Sequence, residues 1–141
     1  MRQPPGFEKT TRLVARALQV PADDLVSGFG PAIAADLEGI VAFRARNFDE
    51  LIWGDDRLYL QWRYRFGRPD CGMGEIWVVK VGGEILGIVG TEDITCSLSG
   101  RRISGVRTMD ILVARERQNS GLGVWLNQAV FRLAPFTIAI G

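Results

Sequence analysis

Apolar residues recur along the chain at two spacings, one typical of helices and one typical of strands. Over residues 121–133 they lie three and four positions apart, which places them in one stripe along a helix. The members of this stripe are Leu122, Trp125, Leu126, Ala129, Val130 and Leu133. Similar spacings predict three further helices, at residues 7–19, 36–47 and 56–66.

Two of these helices carry signals for their ends and faces. Asp36 is the predicted N-cap of the 36–47 helix, because a short polar side chain can accept the unpaired N–H groups of a first turn. In the 56–66 helix, apolar residues recur every four positions and are predicted to face the core. They are Leu58, Trp62 and Phe66.

Apolar runs bounded by glycine turns predict an antiparallel β-meander. Its strands are expected at residues 75–81, 84–97 and 103–113, with Gly82-Gly83 as the first turn. Two short strands are also predicted, one at 25–29 and a final one at 136–140. The last strand–helix–strand unit should give a parallel pair through a right-handed crossover. We therefore expect an α/β chain with a mixed sheet and helices on its faces.

Composition narrows the chemistry that this chain can perform. The 141 residues suffice for one domain, and a formal net charge of +1 gives no overall attraction to nucleic acid or an anionic membrane. The chain has no histidine, which excludes His-based zinc sites and Ser-His or Cys-His nucleophile pairs. No metal is expected, and a catalytic base must be Asp, Glu, Tyr, Cys, Lys or water.

The amino-acid composition also bears on the location of the protein and on the chemistry of its cysteines. No apolar run approaches the roughly 20 residues of a membrane-spanning helix, and the first residues lack the apolar core of a secretion signal. We expect a cytoplasmic protein without a membrane partner. Cys71 and Cys96 do not make a disulfide framework. Cys71 is interpreted as a free loop thiol, with a nucleophilic role as the alternative, and Cys96 as a packed or half-buried strand residue.

The segment Gln118–Gly123 connects the predicted strand ending at Val113 to the amphipathic helix. A glycine-containing turn at this point presents the unpaired N–H groups of a helix N-terminus, where the macrodipole adds positive character. Such a turn can hold a phosphate or pyrophosphate through its backbone alone. A tight turn without a ligand is the structural alternative.

This segment, with the elements around it, resembles the GCN5-related N-acetyltransferase superfamily. The acetyl-CoA signature of that family reads Arg/Gln-x-x-Gly-x-Gly/Ala and is matched by Gln118, Gly121 and Gly123. The resemblance covers residues 25–141 and leaves residues 1–24 as an N-terminal extension with a short helix. Members of the family continue with a further helix and two strands, so the resemblance implies an acyltransferase domain that lacks its C-terminal strands.

The resemblance implies an N-acetyltransferase that moves an acetyl group from acetyl-CoA to an amine on a small molecule or peptide. The pyrophosphate would lie on the turn, and the pantetheine arm would pair with the preceding strand edge. The implied cofactor-binding residues are Ile111, Leu112, Val113, Gln118, Asn119, Ser120, Gly121, Leu122, Gly123 and Val124. An exposed final strand would also favour a homodimer, because unpaired strand edges associate.

Asp110 is the candidate catalytic residue on the acceptor side, with pairing to Arg107 as its structural alternative. Other carboxylates on the meander that could face the same cleft are Glu75, Glu92 and Asp93. The candidate substrate contacts, predicted to be exposed, are Tyr59, Arg63 and Tyr64.

Three other functions compete with this hypothesis. One is an incomplete acyltransferase-like module that binds CoA or a protein partner without catalysis. Another is a mononucleotide-binding domain, which the antiparallel meander disfavours because such domains are mostly parallel. The third is nucleic-acid binding through the basic and aromatic residues at 57–68, which Asp55, Asp56 and Asp70 oppose by diluting the positive charge.

Overall fold

The computed structural model describes residues 5–48, 56–65 and 74–139. Five α-helices lie in these residues: α1 (Phe7–Leu18), α2 (Ala22–Ser27), α3 (Leu37–Asn47), α4 (Asp56–Tyr64) and α5 (Leu122–Phe131). The strands are β1 (Phe29–Pro31), β2 (Gly74–Val81), β3 (Glu84–Leu98), β4 (Arg101–Val113) and β5 (Thr137–Ala139). Of the described helices, none is both long and apolar enough to cross a bilayer.

The strands form one mixed sheet in the order β1-β2-β3-β4-β5. The first three pairings are antiparallel, and β5 lies parallel to β4 after the crossover through α5. This arrangement confirms the predicted meander, the parallel last pair and the mixed α/β sheet. β5 is an edge strand in the described sheet, and association through that edge stays a prediction.

Each face of the sheet carries its own hydrophobic core. On one face, which we call the α3/α4 face, Ile76 and Val78 of β2 pack with residues of α3 and α4. The alternate residues of β2, Trp77 and Val79, pack on the other side with α1, α2 and α5, which we call the α1/α5 face. Alternation along the strands thus separates the two cores, because successive side chains point to opposite sides of a sheet.

The first helix belongs to the α1/α5 core. The ring of Phe7 stacks on Trp125 with 5.8 Å between centroids, and the Trp125 indole N–H donates to the Thr11 hydroxyl at 2.9 Å. Val14 and Leu18 are buried in the same cluster. Full burial of such side chains contributes roughly 1.5–3 kcal/mol each, so α1 is tied to α5 by packing as well as by a hydrogen bond.

The predicted strand at residues 25–29 is wrong. Residues Ala22–Ser27 form α2, and only Phe29–Pro31 pair with β2. Pro21 occupies the N-cap position, and Asp23 and Asp24 lie in the first turn, where negative charge is favourable. Pro21 therefore lies between the end of α1 and the start of α2.

The predicted inward face of the fourth helix is also wrong. Leu58 is 66% exposed and Trp62 is 57% exposed, whereas Leu60 and Tyr64 are buried. Phe66, the third member of the predicted stripe, lies outside the described residues. The buried stripe begins with Asp56 and ends with Tyr64, so the sequence did not show it as a row of apolar residues.

Asp36 occupies the N-cap position of α3, but its side chain does not cap that helix. Its carboxylate accepts from the backbone N–H of Ile33 at 2.9 Å and from the Lys80 ammonium at 2.8 Å. It therefore closes the short 3₁₀ turn Ala34–Asp36 before α3 and connects that turn to β2.

Candidate functional site

A β-bulge interrupts β4 at Asp110. Ile88 pairs with Leu112 and Gly90 pairs with Met109, so Asp110 and Ile111 together face the single residue Val89. Asp110 has φ of +50°, a left-handed conformation that costs a non-glycine residue roughly 1–2 kcal/mol. The bulge turns the Asp110 side chain to the α3/α4 face.

Beyond the bulge, one edge of β4 has no strand partner among the described residues. β5 pairs with Val106, Arg107 and Thr108 only. The backbone of residues 111–113 continues past that pairing while β3 holds its other side. A row of backbone donors and acceptors is thus available to an extended ligand on this edge.

The chain leaves β4 through a turn whose first residues are held by two hydrogen bonds. The N–H of Ala114 donates to the Leu86 carbonyl at 3.0 Å, and the N–H of Arg115 donates to the side-chain oxygen of Asn47 at 2.8 Å. A 3₁₀ turn, Arg115–Arg117, follows. These contacts fix the direction in which the next residues approach α5.

Two left-handed residues shape the turn at the start of α5. Asn119 has φ of +67° and Gly121 has φ of +83°. The Ser120 hydroxyl accepts the N–H of Leu122 at 3.2 Å, so that group is satisfied within the turn. No described residue accepts the remaining N–H groups, those of Asn119, Gly121, Gly123 and Val124. Four free donors at a helix N-terminus favour an anion.

The two signature glycines differ in their surroundings. A Cβ on Gly121 would require a strained φ and would lie 3.3 Å from a Val14 methyl of α1. A Cβ on Gly123 would lie at ordinary contact distances, 3.8 Å from Val113 and 3.9 Å from Ile111. Gly121 is therefore required by the turn itself, whereas Gly123 has room for a methyl group facing β4.

The C-terminal end of α1 borders this turn. The Arg117 guanidinium donates to the Leu18 carbonyl at 3.3 Å, and a cavity of about 180 Å³ lies between the helix end and the turn. Ala17, Glu116 and Gln118 are among its lining residues. The segment before residue 25 thus forms part of the wall beside the free N–H groups.

On the α3/α4 face, two phenols converge on one oxygen of Asp110. The Tyr59 hydroxyl donates to Oδ2 of Asp110 at 2.8 Å, and the Tyr64 hydroxyl donates to the same oxygen. Tyr64 lies against Gly90, where an added Cβ would overlap the phenol ring. The other carboxylate oxygen, Oδ1, has no hydrogen-bond partner among the described residues.

The environment keeps both phenols protonated. Burial, followed by the negative charge of Asp110 and the hydrogen bond to it, raises the pKa of Tyr64 far above its usual value. Burial and then the hydrogen bond to Asp110 raise the pKa of Tyr59 as well, against the opposing charges of Arg44 and Arg63. Both tyrosines therefore act as hydrogen-bond donors to the carboxylate.

The structure places the acceptor-side candidates in different environments. Tyr64 is buried, so it is not the exposed contact that was predicted, while Tyr59 and Arg63 are partly exposed. Arg63 and Arg107 both pair with Glu92, and Arg107 does not pair with Asp110. Glu92 therefore lies on the α3/α4 face with Asp110.

Glu75 and Asp93 are exposed and share the alternation of residues that point to the α1/α5 face, such as Trp77 and Thr91. These two carboxylates therefore do not lie on the α3/α4 face with Asp110. Cys96 is half-buried, as predicted, and Cys71 lies outside the described residues.

Trp62 was predicted to be core, yet its ring lies exposed beside Tyr59, with 6.4 Å between centroids. Its place beside Tyr59, whose hydroxyl contacts Asp110, was missed, and the available signal was Asp110 itself, a lone acidic residue in the apolar run 109–113.

No family model matches the sequence, and no curated protein matches it. Solved structures do match. A GNAT family acetyltransferase from Staphylococcus aureus has a TM-score of 0.58 at 14% identity, covering 80% of this chain and 84% of that one. The aminoglycoside 6'-N-acetyltransferase AAC(6')-Ih from Acinetobacter baumannii has a TM-score of 0.57 at 14% identity, covering 80% and 78%.

A GCN5-related N-acetyltransferase from Kribbella flavida has a TM-score of 0.55 at 21% identity, covering 74% of this chain and 26% of that one. At these identities the similarity concerns the fold. It confirms the acyl-CoA N-acyltransferase architecture predicted from the meander and the turn that follows it.

Proposed function

We propose that this chain, which has the fold of the GCN5-related N-acetyltransferases, transfers an acetyl group from acetyl-CoA to an amine. The main support is that the edge of β4 at residues 111–113, which no described strand pairs, leads into a turn with four N–H groups that no described residue accepts. A ligand that combines an amide-containing arm with a pyrophosphate is complementary to both features at once.

The donor would bind through the backbone in this proposal. The pyrophosphate would accept from the N–H groups of Asn119, Gly121, Gly123 and Val124, while Gln118 borders it and the Ser120 hydroxyl orders the turn. The pantetheine arm would add to the edge formed by Ile111, Leu112 and Val113 as an extra strand. The Leu122 N–H contributes to the turn through Ser120 and not to the ligand.

The reaction requires a neutral amine nitrogen to attack the thioester carbonyl carbon. A C–N bond forms, the C–S bond breaks, and the sulfur leaves with the bonding electron pair and takes up the proton that the attacking nitrogen releases, which gives the CoA thiol. A backbone N–H of β4 near the bulge would stabilise the developing negative charge on the carbonyl oxygen. The incoming ammonium must first lose a proton, and Oδ1 of Asp110 is the acceptor-side group that we propose for receiving it.

Calorimetric titration with acetyl-CoA tests the donor site, and thiol release from acetyl-CoA in the presence of an amine panel tests catalysis. We expect saturable binding at one site, together with thiol release that requires an amine. Absence of binding would overturn the assignment. Binding without thiol release for any amine would support the alternative of a CoA-binding module without catalysis.

A further inference from the structure

The charge of Asp110 differs from that of its neighbours in how it is compensated. Asp56 is paired with Arg44 at 2.7 Å, and Glu92 is paired with two arginines. Asp110 has two neutral phenols on Oδ2 and, among the described residues, no ion pair. A negative charge is thus held in a fixed position on an exposed residue, and its other oxygen, Oδ1, has no hydrogen-bond partner among the described residues.

An exposed aromatic surface adjoins this carboxylate. Trp62 is 57% exposed, and its ring neighbours Tyr59, whose hydroxyl contacts Asp110. The Arg44 guanidinium already lies over the Tyr59 ring, 5.4 Å from the centroid. No described cation lies over Trp62. The indole face is therefore available, and indole is the aromatic surface that attracts cations most strongly.

We propose that the acceptor is an alkylamine with at least two cationic nitrogens, one held at Oδ1 of Asp110 and another on the face of Trp62. The inference rests on the proposed acetyltransferase function and adds to it the class of acceptor. A carboxylate and an exposed indole on one surface favour a flexible polycation over a neutral or anionic amine. The bulge places this surface next to residues 111–113, where the thioester would lie.

Three amines of equal chain length test the proposal: 1,5-diaminopentane, pentylamine and 5-aminopentanoate. We expect kcat/KM to decrease in that order, by about fivefold between the diamine and pentylamine and more for the aminopentanoate. Trp62→Ala should raise KM for the diamine about fivefold while it alters KM for pentylamine less, and Trp62→Phe should restore most of the difference. Leu98→Ala, at an exposed apolar site on the distant β3–β4 turn, should change neither.

Asp110→Asn separates recognition from proton transfer. Loss of a base lowers kcat for all three amines alike, whereas loss of a counter-charge removes the preference for the diamine. We expect the preference to disappear, and we expect it to persist in Asp93→Asn, which removes an exposed carboxylate from the other face. Equal kcat/KM for the three amines, or a preference that survives both Asp110→Asn and Trp62→Ala, would overturn the proposal.

A binding measurement keeps the two proposals distinguishable. With CoA at saturation, 1,5-diaminopentane should shift the indole N–H resonance of Trp62, assigned through Trp62→Phe, and Asp110→Asn should abolish the shift. This result would stand even if no amine were acetylated, in which case the acetyltransferase function fails and the polycation site does not. No shift in the wild-type chain would refute the polycation site, whatever the catalytic result.

Discussion

The Tyr64 hydroxyl on α4 donates a hydrogen bond to the carboxylate of Asp110 in the β4 bulge, across 46 residues of sequence. The contact requires Gly90, since any side chain on that residue of β3 would overlap the phenol. A helix, a bulge and a glycine on a third element thus meet at the acceptor side of the candidate site.

Tyr64→Phe should destabilise the fold by about 1–3 kcal/mol, because a buried phenol loses its bond to a charged group while its ring is retained. Urea unfolding measures this change. Tyr59→Phe is the matched control and should have a smaller effect, since Tyr59 is only partly buried. Equal stability of Tyr64→Phe and the wild type would contradict the hydrogen bond.

Tyr59 and Tyr64 are the only tyrosines in the chain, so tyrosinate absorbance reports on the Asp110 cluster alone. Their folded pKa values are raised from the ordinary value of 10.0, so the protonated forms stabilise the fold. This contribution is complete below pH 10 and is lost as the pH rises above that value.

In the folded chain we expect little tyrosinate absorbance at pH 10, and in urea we expect both residues to titrate near pH 10. Asp110→Asn should lower both folded pKa values toward 10, because it removes the negative charge. Two tyrosines that titrate normally in the folded chain would show that the cluster does not form.

Gly121→Ala and Gly123→Ala should have opposite effects. The first places a methyl group at φ of +83° and near Val14, so it should cost about 1–2 kcal/mol and weaken acetyl-CoA binding. The second puts alanine into the first turn of α5 without a close contact, so it should gain up to about 1 kcal/mol and retain binding. Thermal unfolding and calorimetry measure both changes.

Gln118→Glu adds one negative charge at an exposed residue beside the proposed pyrophosphate. Two unit charges roughly 5 Å apart in water repel by about 0.8 kcal/mol, so the Kd for acetyl-CoA should rise about fourfold at low salt and less at high salt. Thr95→Glu adds the same charge on an exposed strand residue elsewhere and should leave the Kd unchanged. An equal Kd for Gln118→Glu and the wild type would place the donor elsewhere.

Features with local causes were predicted well. The Gly82-Gly83 hairpin, the long strands on either side and the helix after Gly121 all appear in the structure within a few residues of their expected ends, although Leu133, the last residue of the predicted stripe, lies beyond α5 and is 39% exposed. The turn at Gln118–Gly123 was also placed correctly between strand and helix. Each depends on periodicity or on glycine at a tight turn, and both are properties of short segments.

Features that depend on distant partners were not predicted. The α4 helix buries the row that contains Asp56, Leu60 and Tyr64 instead of the row that contains Leu58 and Trp62. Two distant partners favour this orientation, since Arg44 pairs with Asp56 and Asp110 accepts a hydrogen bond from Tyr64. The left-handed conformation of Asp110 follows from the register between β3 and β4, and no glycine at that position indicates it in the sequence.

The sequence by itself determined the β-meander, the strand–helix–strand unit that completes the mixed sheet and the backbone turn proposed to hold the donor, because hydrogen bonding within a segment and side-chain periodicity specify them. Only the tertiary structure decided the acceptor side: which face of α4 is buried, that Trp62 is exposed, and that two phenols share one oxygen of Asp110. Those relationships join residues far apart in the chain, and only the packing of helices on the sheet brings them within reach of one another.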